Sequence, residues 1–334
     1  MNVVSKSQLY FLCLLLVLFI TCGCNKIYEP VKIDRFDEQL FALNGVNSSQ
    51  HFKQLSDQYK TFYKSYAEDM LNINETEAAV NYEPSLLKFI NYPGIQQLKR
   101  EVDSIYADLS SIESQLGEAM YNYHTFFPQT AQPKFISFIS EFGYANVTYD
   151  SIIGIGLDMY LGDQYKLYHA LEFPDFMIAK LRREYMIPNT IKSLAIGKYE
   201  YQLKDKRFLA MMLFEGKVRY FMKQLLPDIE DSILLGYNVK QLAWCKRNEQ
   251  LIWTHFIEQK LLYSNDVGQY MRYFNDGPFT IATGVPQESA PAIAVFTGYM
   301  AISKFMKENK QITLAQLMEN ADWDELLKWS KYRP

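Results

Sequence analysis

The stretch SIIGIGLDMYLG, residues 151–162, decides the class of fold. Ile152, Ile153 and Ile155 are β-branched, with Gly154 and Gly156 among them, a composition that suits a pleated strand better than a helix. A second run of the same kind, KFISFISEF at 134–142, lies just upstream. Together the two runs predict a hairpin or a small mixed sheet.

On either side of this region the apolar period becomes helical. Phe52, Leu55, Tyr59, Phe62 and Tyr66 predict a helix over 50–72. A stripe through Leu98, Val102, Ile105, Leu109, Ile112, Leu116 and Met120 predicts one long helix over 95–125, closed by Pro128 and Pro133. Downstream, helices are expected over 174–186, 188–202, 204–226, 238–262, 266–274, 290–308, 313–320 and 323–331. The expected architecture is therefore α+β, predominantly helical with a small central sheet. Residues 34–130 form a helical N-terminal region, and 131–334 carry the sheet and the remaining helices as part of one compact unit. No internal repeat is visible.

The first residues set the compartment. LYFLCLLLVLFITCGCN, residues 9–25, holds an apolar run from Leu9 to Ile20. That run is shorter than the roughly 20 residues a bilayer-spanning helix needs, and it falls in the range of about 7–15 for a signal-peptide core. Thr21-Cys22-Gly23-Cys24 follows, and a small residue directly before a cysteine resembles the lipobox of bacterial lipoproteins. Cys22 follows Thr21 and Cys24 follows Gly23; glycine suits the tight peptidase site better, so Cys24 is taken as the acylated residue. Residues 1–23 are then a removed signal peptide and 24–33 a lipidated tether, interrupted by Pro30. The implied partner is a membrane, held through acyl chains rather than a spanning helix.

Composition adds exclusions. The net charge is −4 and the pI near 5.7, so no basic surface invites nucleic acid. With Cys13 and Cys22 removed and Cys24 acylated, Cys245 alone remains; no intrachain disulfide is expected, and Cys245 reads as a small buried hydrophobe. The 25 Tyr and 22 Phe suit an aromatic-packed core.

Chemistry is sparse. His51, His124, His169 and His255 are far apart in sequence, so a helical two-histidine zinc motif is absent. Gly154-Ile155-Gly156 lacks the third glycine of a dinucleotide fingerprint, and no P-loop or nucleophile elbow is present. No cofactor and no metal site are expected. Three constellations remain. Asp158 sits in an apolar strand pattern, where an unpaired carboxylate is expensive to bury; it either faces solvent or pairs in a cleft. Glu215 lies in the helix RFLAMMLFEGKVRYFMKQLLP with Arg219 one turn on, and is read either as an ordinary helix pair or as a cleft carboxylate, with Gly216 admitting a close backbone. His169 and Glu172, just before Pro174, read as surface or loop polarity.

The lipobox-like start, RFDEQLFAL (35–43), GLDMYLGDQYKLY (156–168), FPDFMIAKLRREYMIPN (173–189), FEGKVRYFMKQLLPD (214–228), the run from Trp244 to Phe256 and the closing WSKYRP together resemble the gliding-motility lipoproteins of the GldB type. The resemblance implies an envelope lipoprotein of Bacteroidetes-type bacteria. It would be lipid-anchored and facing the periplasm, non-enzymatic, and would support the gliding machinery and linked type IX secretion through other envelope proteins. The family has no established catalytic residues to carry over. A fainter resemblance, in the order of strands and helices, is to zincin-like metallopeptidases; it implies a degenerate scaffold with Glu215 in the place of a third ligand and no histidine on the helix near 188–201. The alternatives are a peptidase-like hydrolase of the envelope using Asp158 and Glu215, and a periplasmic ligand binder.

Overall fold

The computed structural model describes residues 28–43, 48–73 and 81–334. At its centre is a four-stranded sheet of β1 (Ile33–Arg35), β2 (Lys134–Phe138), β3 (Asn146–Tyr149) and β4 (Ile152–Gly156), in the spatial order β1-β2-β4-β3. β1 pairs parallel with β2 and β2 parallel with β4, while β3 and β4 form an antiparallel hairpin. The sheet is thus the small mixed one expected, but 134–142 and 151–162 are not each other's hairpin partners. The hairpin forms instead around Asp150, whose left-handed backbone (φ 49°) makes the turn. Residues 157–160 close into a 3-10 turn rather than continuing the strand.

The principal helices are α1 (Phe36–Phe41), α2 (Ser48–Tyr59), α3 (Glu83–Asn91), α4 (Pro93–Tyr106), α5 (Ser110–Phe126), α6 (Met186–Tyr199), α7 (Phe208–Leu225), α8 (Val239–Arg247), α9 (Glu249–Glu258), α10 (Ile293–Glu308), α11 (Leu314–Glu319) and α12 (Trp323–Ser330). The helix-rich α+β architecture is as expected. Four boundaries differ from the periodicity. The helix expected over 50–72 ends at Tyr59, because Lys60 takes a positive φ of 44°, and the chain continues through 61–70 only as short helical turns. The stripe over 95–125 is broken between α4 and α5, where the Asp108 carboxylate accepts from the Ser110 N–H and hydroxyl at 2.8 Å each and so competes with continuation of the helix. The span 174–186 forms only short turns, and α6 begins before Pro188, which the first turn of a helix tolerates because its amide would be unpaired there. The span 238–262 divides at Asn248, whose side-chain amide donates to the Trp244 carbonyl at 2.8 Å.

Alternation along the strands separates two apolar cores. Ile136 and Phe138 point into a cluster with Phe36, Phe62, Tyr66 and Leu86, in which the Phe36 ring meets Tyr59, Phe62 and Tyr66 at 4.8–5.3 Å. Phe135, Ile153 and Ile155 point the other way, into the larger cluster built by α5, α6, α7 and α10. α6 lies against the edge strand β3: Asn146 donates to the Thr190 hydroxyl at 3.2 Å, and Gly197 leaves room for Thr148, whose Cγ2 lies 2.5 Å from where a Cβ would sit.

α7 and α10 approach backbone to backbone. A Cβ on Gly216 would fall 2.2 Å from the Gly298 carbonyl oxygen, and one on Gly298 would fall 1.9 Å from the Met212 carbonyl oxygen. The far end of α7 is clamped by Lys217. Its ammonium is buried and donates to Gln202 Oε1 at 2.7 Å and to the carbonyls of Met318 and Asn320 at 2.9 and 2.8 Å, 5.0 Å from the centre of the Trp323 ring. All three ammonium protons find acceptors, so α11 and the start of α12 are tied to α7.

The chain from Tyr28 to Ile33 lies along α5. Val31 N–H donates to the Glu113 carbonyl at 3.0 Å, Ile33 N–H to Glu113 Oε1 at 3.1 Å and Lys32 Nζ to Glu113 Oε2 at 2.7 Å. Gly117 makes room for it, since a Cβ there would meet the Glu29 carbonyl oxygen at 2.2 Å. Cys245 is buried, and burial pushes its thiol up to about 12.

The glycine crossing gives a diagnostic test. Gly→Ala in a helix interior ordinarily stabilises by about 1 kcal/mol. Gly298→Ala should instead destabilise by roughly 1–3 kcal/mol or more, because the methyl has only backbone to displace. Urea unfolding monitored by circular dichroism measures the sign; a stabilised variant would contradict the close crossing.

Candidate functional site

Glu215 and Arg219 line a cleft of about 200 Å³ bounded by α6, α7, the segment 233–237 and the start of α10. α7 presents Glu215, Arg219 and Met222 along one face at helical spacing, and α6 contributes Asn189 and Lys192 one turn apart. Arg219 is buried and its guanidinium bonds Glu215 Oε2 at 2.9 Å. Across the cleft, Lys180 Nζ bonds Asp276 Oδ1 at 2.6 Å. Gly236, in the left-handed region at φ 70°, turns beneath Lys180; a Cβ there would lie 3.0 Å from the ammonium nitrogen. Buried Tyr237 donates its hydroxyl to the Ala292 carbonyl at 3.2 Å, and Ala292 takes a left-handed backbone (φ 49°) immediately before α10.

The electrostatics follow from this arrangement. Three cations and two carboxylates face the cleft, and each carboxylate already has a cation. Lys192 is the charge without an ion-pair partner, and its ammonium is held down to about 8, first by the neighbouring Arg219 guanidinium and second by burial, against the weaker attraction of Glu215 and Asp276. Glu215 is therefore one half of an ion pair in a cleft that carries one more cation than carboxylates.

Asp158 does not line this cleft. It is fully buried in the 3-10 turn after β4, where Oδ2 accepts the N–H groups of Ser140 and Phe142 at 3.1 and 2.7 Å. The loop it holds contains Glu141 and Phe142, consecutive non-glycine residues with left-handed backbones (φ 55° and 66°), so the carboxylate secures a conformation that the chain alone disfavours. Tyr66 and Tyr168 complete the setting by donating to the carbonyls of Ile139 and Asp158 at 2.7 and 2.6 Å. Burial raises the Asp158 carboxyl to about 7 against the two amide donors, which favour its ionised form, and Oδ1 has no hydrogen-bond partner among the described residues.

The histidines are scattered as their spacing suggests. His124 Nδ1 lies 2.9 Å from the Met120 carbonyl oxygen, His169 is exposed, and His255 Nε2 lies 2.9 Å from the Tyr273 hydroxyl. Glu172 sits exposed in a left-handed turn. Among the described residues no group of three or more His, Cys, Asp or Glu side chains is placed to hold a metal ion. Cys24 lies outside the described residues. Sequence reasoning missed Lys180, Asn189, Lys192, Tyr237 and Asp276. Only Lys192 left a trace, as a lone cation beside Ile191, Leu194 and Ala195 in an apolar helix; the others come from separate segments with no local signal.

Fold and site together define a helix-dominated α+β protein with a cation-lined cleft, and no helix among the described residues is long and apolar enough to cross a membrane. The chain matches the family model described as gliding motility protein GldB over residues 23–334 and belongs to that family. Membership implies involvement in gliding motility, and the family's designation as lipoproteins points to the envelope. No curated protein and no solved structure matches the chain significantly.

The raised Asp158 pKa has a definite pH signature. In the unfolded chain the carboxyl titrates near 3.9. Between about pH 4 and 7 the folded state therefore holds a proton that the unfolded state has lost. Stability falls as pH rises through this window, by at most roughly 1.4 kcal/mol per pH unit from this group, and levels off above it. Asp158→Asn should lack this component, so the stability difference between wild type and variant, from urea titrations at pH 4.5, 6 and 7.5, should shrink as pH rises. A constant difference would rule out a raised pKa.

Proposed function

We propose that the protein is a non-enzymatic, lipid-anchored envelope component that supports the assembly or stability of the gliding machinery and the linked type IX secretion apparatus from the periplasmic side. The observation carrying this reading is the family match, which begins one residue before Cys24 and continues to the last residue. The cleft agrees with it: Glu215 and Asp276 are both committed to ion pairs, leaving an arrangement suited to binding rather than to carboxylate-driven hydrolysis.

Anchoring would also orient the body. From Cys24 to the docked Tyr28 the backbone can reach at most about 14 Å. A diacylglycerol on Cys24 would therefore hold α5, with the exposed Lys32 ammonium beside it, close to the headgroups. Confinement to one surface raises the effective concentration for partners in the same membrane, which is how a protein without catalytic chemistry promotes assembly.

The expected outcome of Cys24→Ala is a shift of the protein from the membrane pellet to the soluble fraction. Intact-mass analysis of wild type should give a fatty-acylated chain beginning at residue 24. Affinity capture from detergent-solubilised membranes should recover motility or secretion subunits with wild type and lose them with Cys24→Ala. A wild-type chain without acyl mass would remove the anchor, and repeated capture without any envelope partner would remove the scaffold role.

A further inference from the structure

We infer that the cleft between α6, α7 and the start of α10 is a binding site for a single carboxylate group, held by Lys192 and Arg219. The inference is independent of the scaffold role and stands or falls on its own measurements.

The charges facing the cleft from all the elements around it are Lys180, Lys192, Glu215, Arg219 and Asp276, with the phenols of Tyr185 and Tyr237. Arg219 with Glu215 and Lys180 with Asp276 are neutral pairs. Lys192 makes no hydrogen bond or ion pair with any described residue, although its ammonium has three protons to donate; Glu215 and Asp276 attract it from beyond ion-pair distance, less than Arg219 and burial oppose its charge. A half-buried, unmatched ammonium beside a buried guanidinium costs free energy that an anion would return. Its depressed pKa expresses the same cost.

The roof is positive as well. α10 runs for sixteen residues, no side chain caps its start, and Pro291, Ala292 and Val295 at that end line the cleft. The first amides of such a helix favour an anion. Ala292 before it holds a left-handed backbone that costs a side-chain-bearing residue about 1–2 kcal/mol, the kind of strain retained at binding sites. One unmatched cation calls for one negative charge, which favours a carboxylate over a phosphate dianion. The volume, below the roughly 300–1,000 Å³ of sites for larger ligands, limits the occupant to a carboxylate on a short stem. Such a group occurs on small organic acids and at the C-terminus of a peptide.

The test uses the mature lipoprotein in detergent, with thermal melting and calorimetric titration at constant ionic strength. The probes are acetate, succinate, inorganic phosphate, and tetra-alanine with a free or an amidated C-terminus. A saturable rise in Tm with acetate or succinate identifies a small-acid site; a rise with free-ended but not amidated tetra-alanine alone identifies a peptide-end site. Lys192→Met should raise the Tm of the ligand-free protein, because the unmatched charge is gone, yet weaken carboxylate binding at least about tenfold. Wild-type affinity should fall as pH passes from 7 to 9 and Lys192 loses its proton, whereas Lys192→Arg should hold its affinity across that range. If Lys192→Met does not fold, the wild-type pH profile decides. No saturable response to any carboxylate, phosphate binding as tight as carboxylate, unchanged binding in Lys192→Met, or a flat pH profile would each overturn the site.

Discussion

The contact on which the rest of the structure depends is the crossing of α7 over α10 at Gly216 and Gly298. Two helices carrying ordinary side chains keep their axes 8–10 Å apart. Here each glycine faces a carbonyl of the other helix, at distances a Cβ could not occupy. The approach fixes α10 against the face of α7 that carries Glu215 and Arg219, and so brings an uncapped helix start to the rim of their cleft. A residue without a side chain thereby sets the position of a site made of long charged ones.

Around that crossing, buried polar groups work as fasteners rather than as chemistry. Lys217 gives its three protons to three oxygens and holds the C-terminal helices. Glu113 takes two backbone amides and an ammonium, one amide through its carbonyl, and straps the N-terminal chain to α5. Asp158 accepts two amides and fixes a strained loop. Each exchanges the cost of burial for hydrogen bonds that join segments far apart in sequence. The cleft differs because one of its charges, Lys192, is left without such a bond among the described residues. That contrast with Lys217 and Glu113, whose charges are met by hydrogen bonds, is what marks the cleft as a place of recognition.

The sheet divides the molecule into its two cores, and this division was partly readable. Strict alternation in β2 and β4 sends Phe135, Ile153 and Ile155 one way and Ile136 and Phe138 the other. Three-residue β1 and the polar β3 (Asn146, Val147, Thr148, Tyr149) are too short and too mixed to stand out from loops. They exist because partners in space complete their hydrogen bonds. The pairing of β2 with β4 was not readable either, since strand composition does not encode which edge is taken.

What the sequence by itself determined is what local physics and similarity along the chain can carry. That covers the helix-rich α+β class, the i to i+4 pairing of Glu215 with Arg219, the small residue at 216 that admits a backbone, and the family to which the chain belongs. Tertiary structure decided the rest. It placed Asp158 in the core and away from the cleft, gave Asp276 and Lys180 to each other, and left Lys192 among cations. The reason is that burial and electrostatic environment depend on which distant segments the fold brings together, and no spacing along one chain records that meeting.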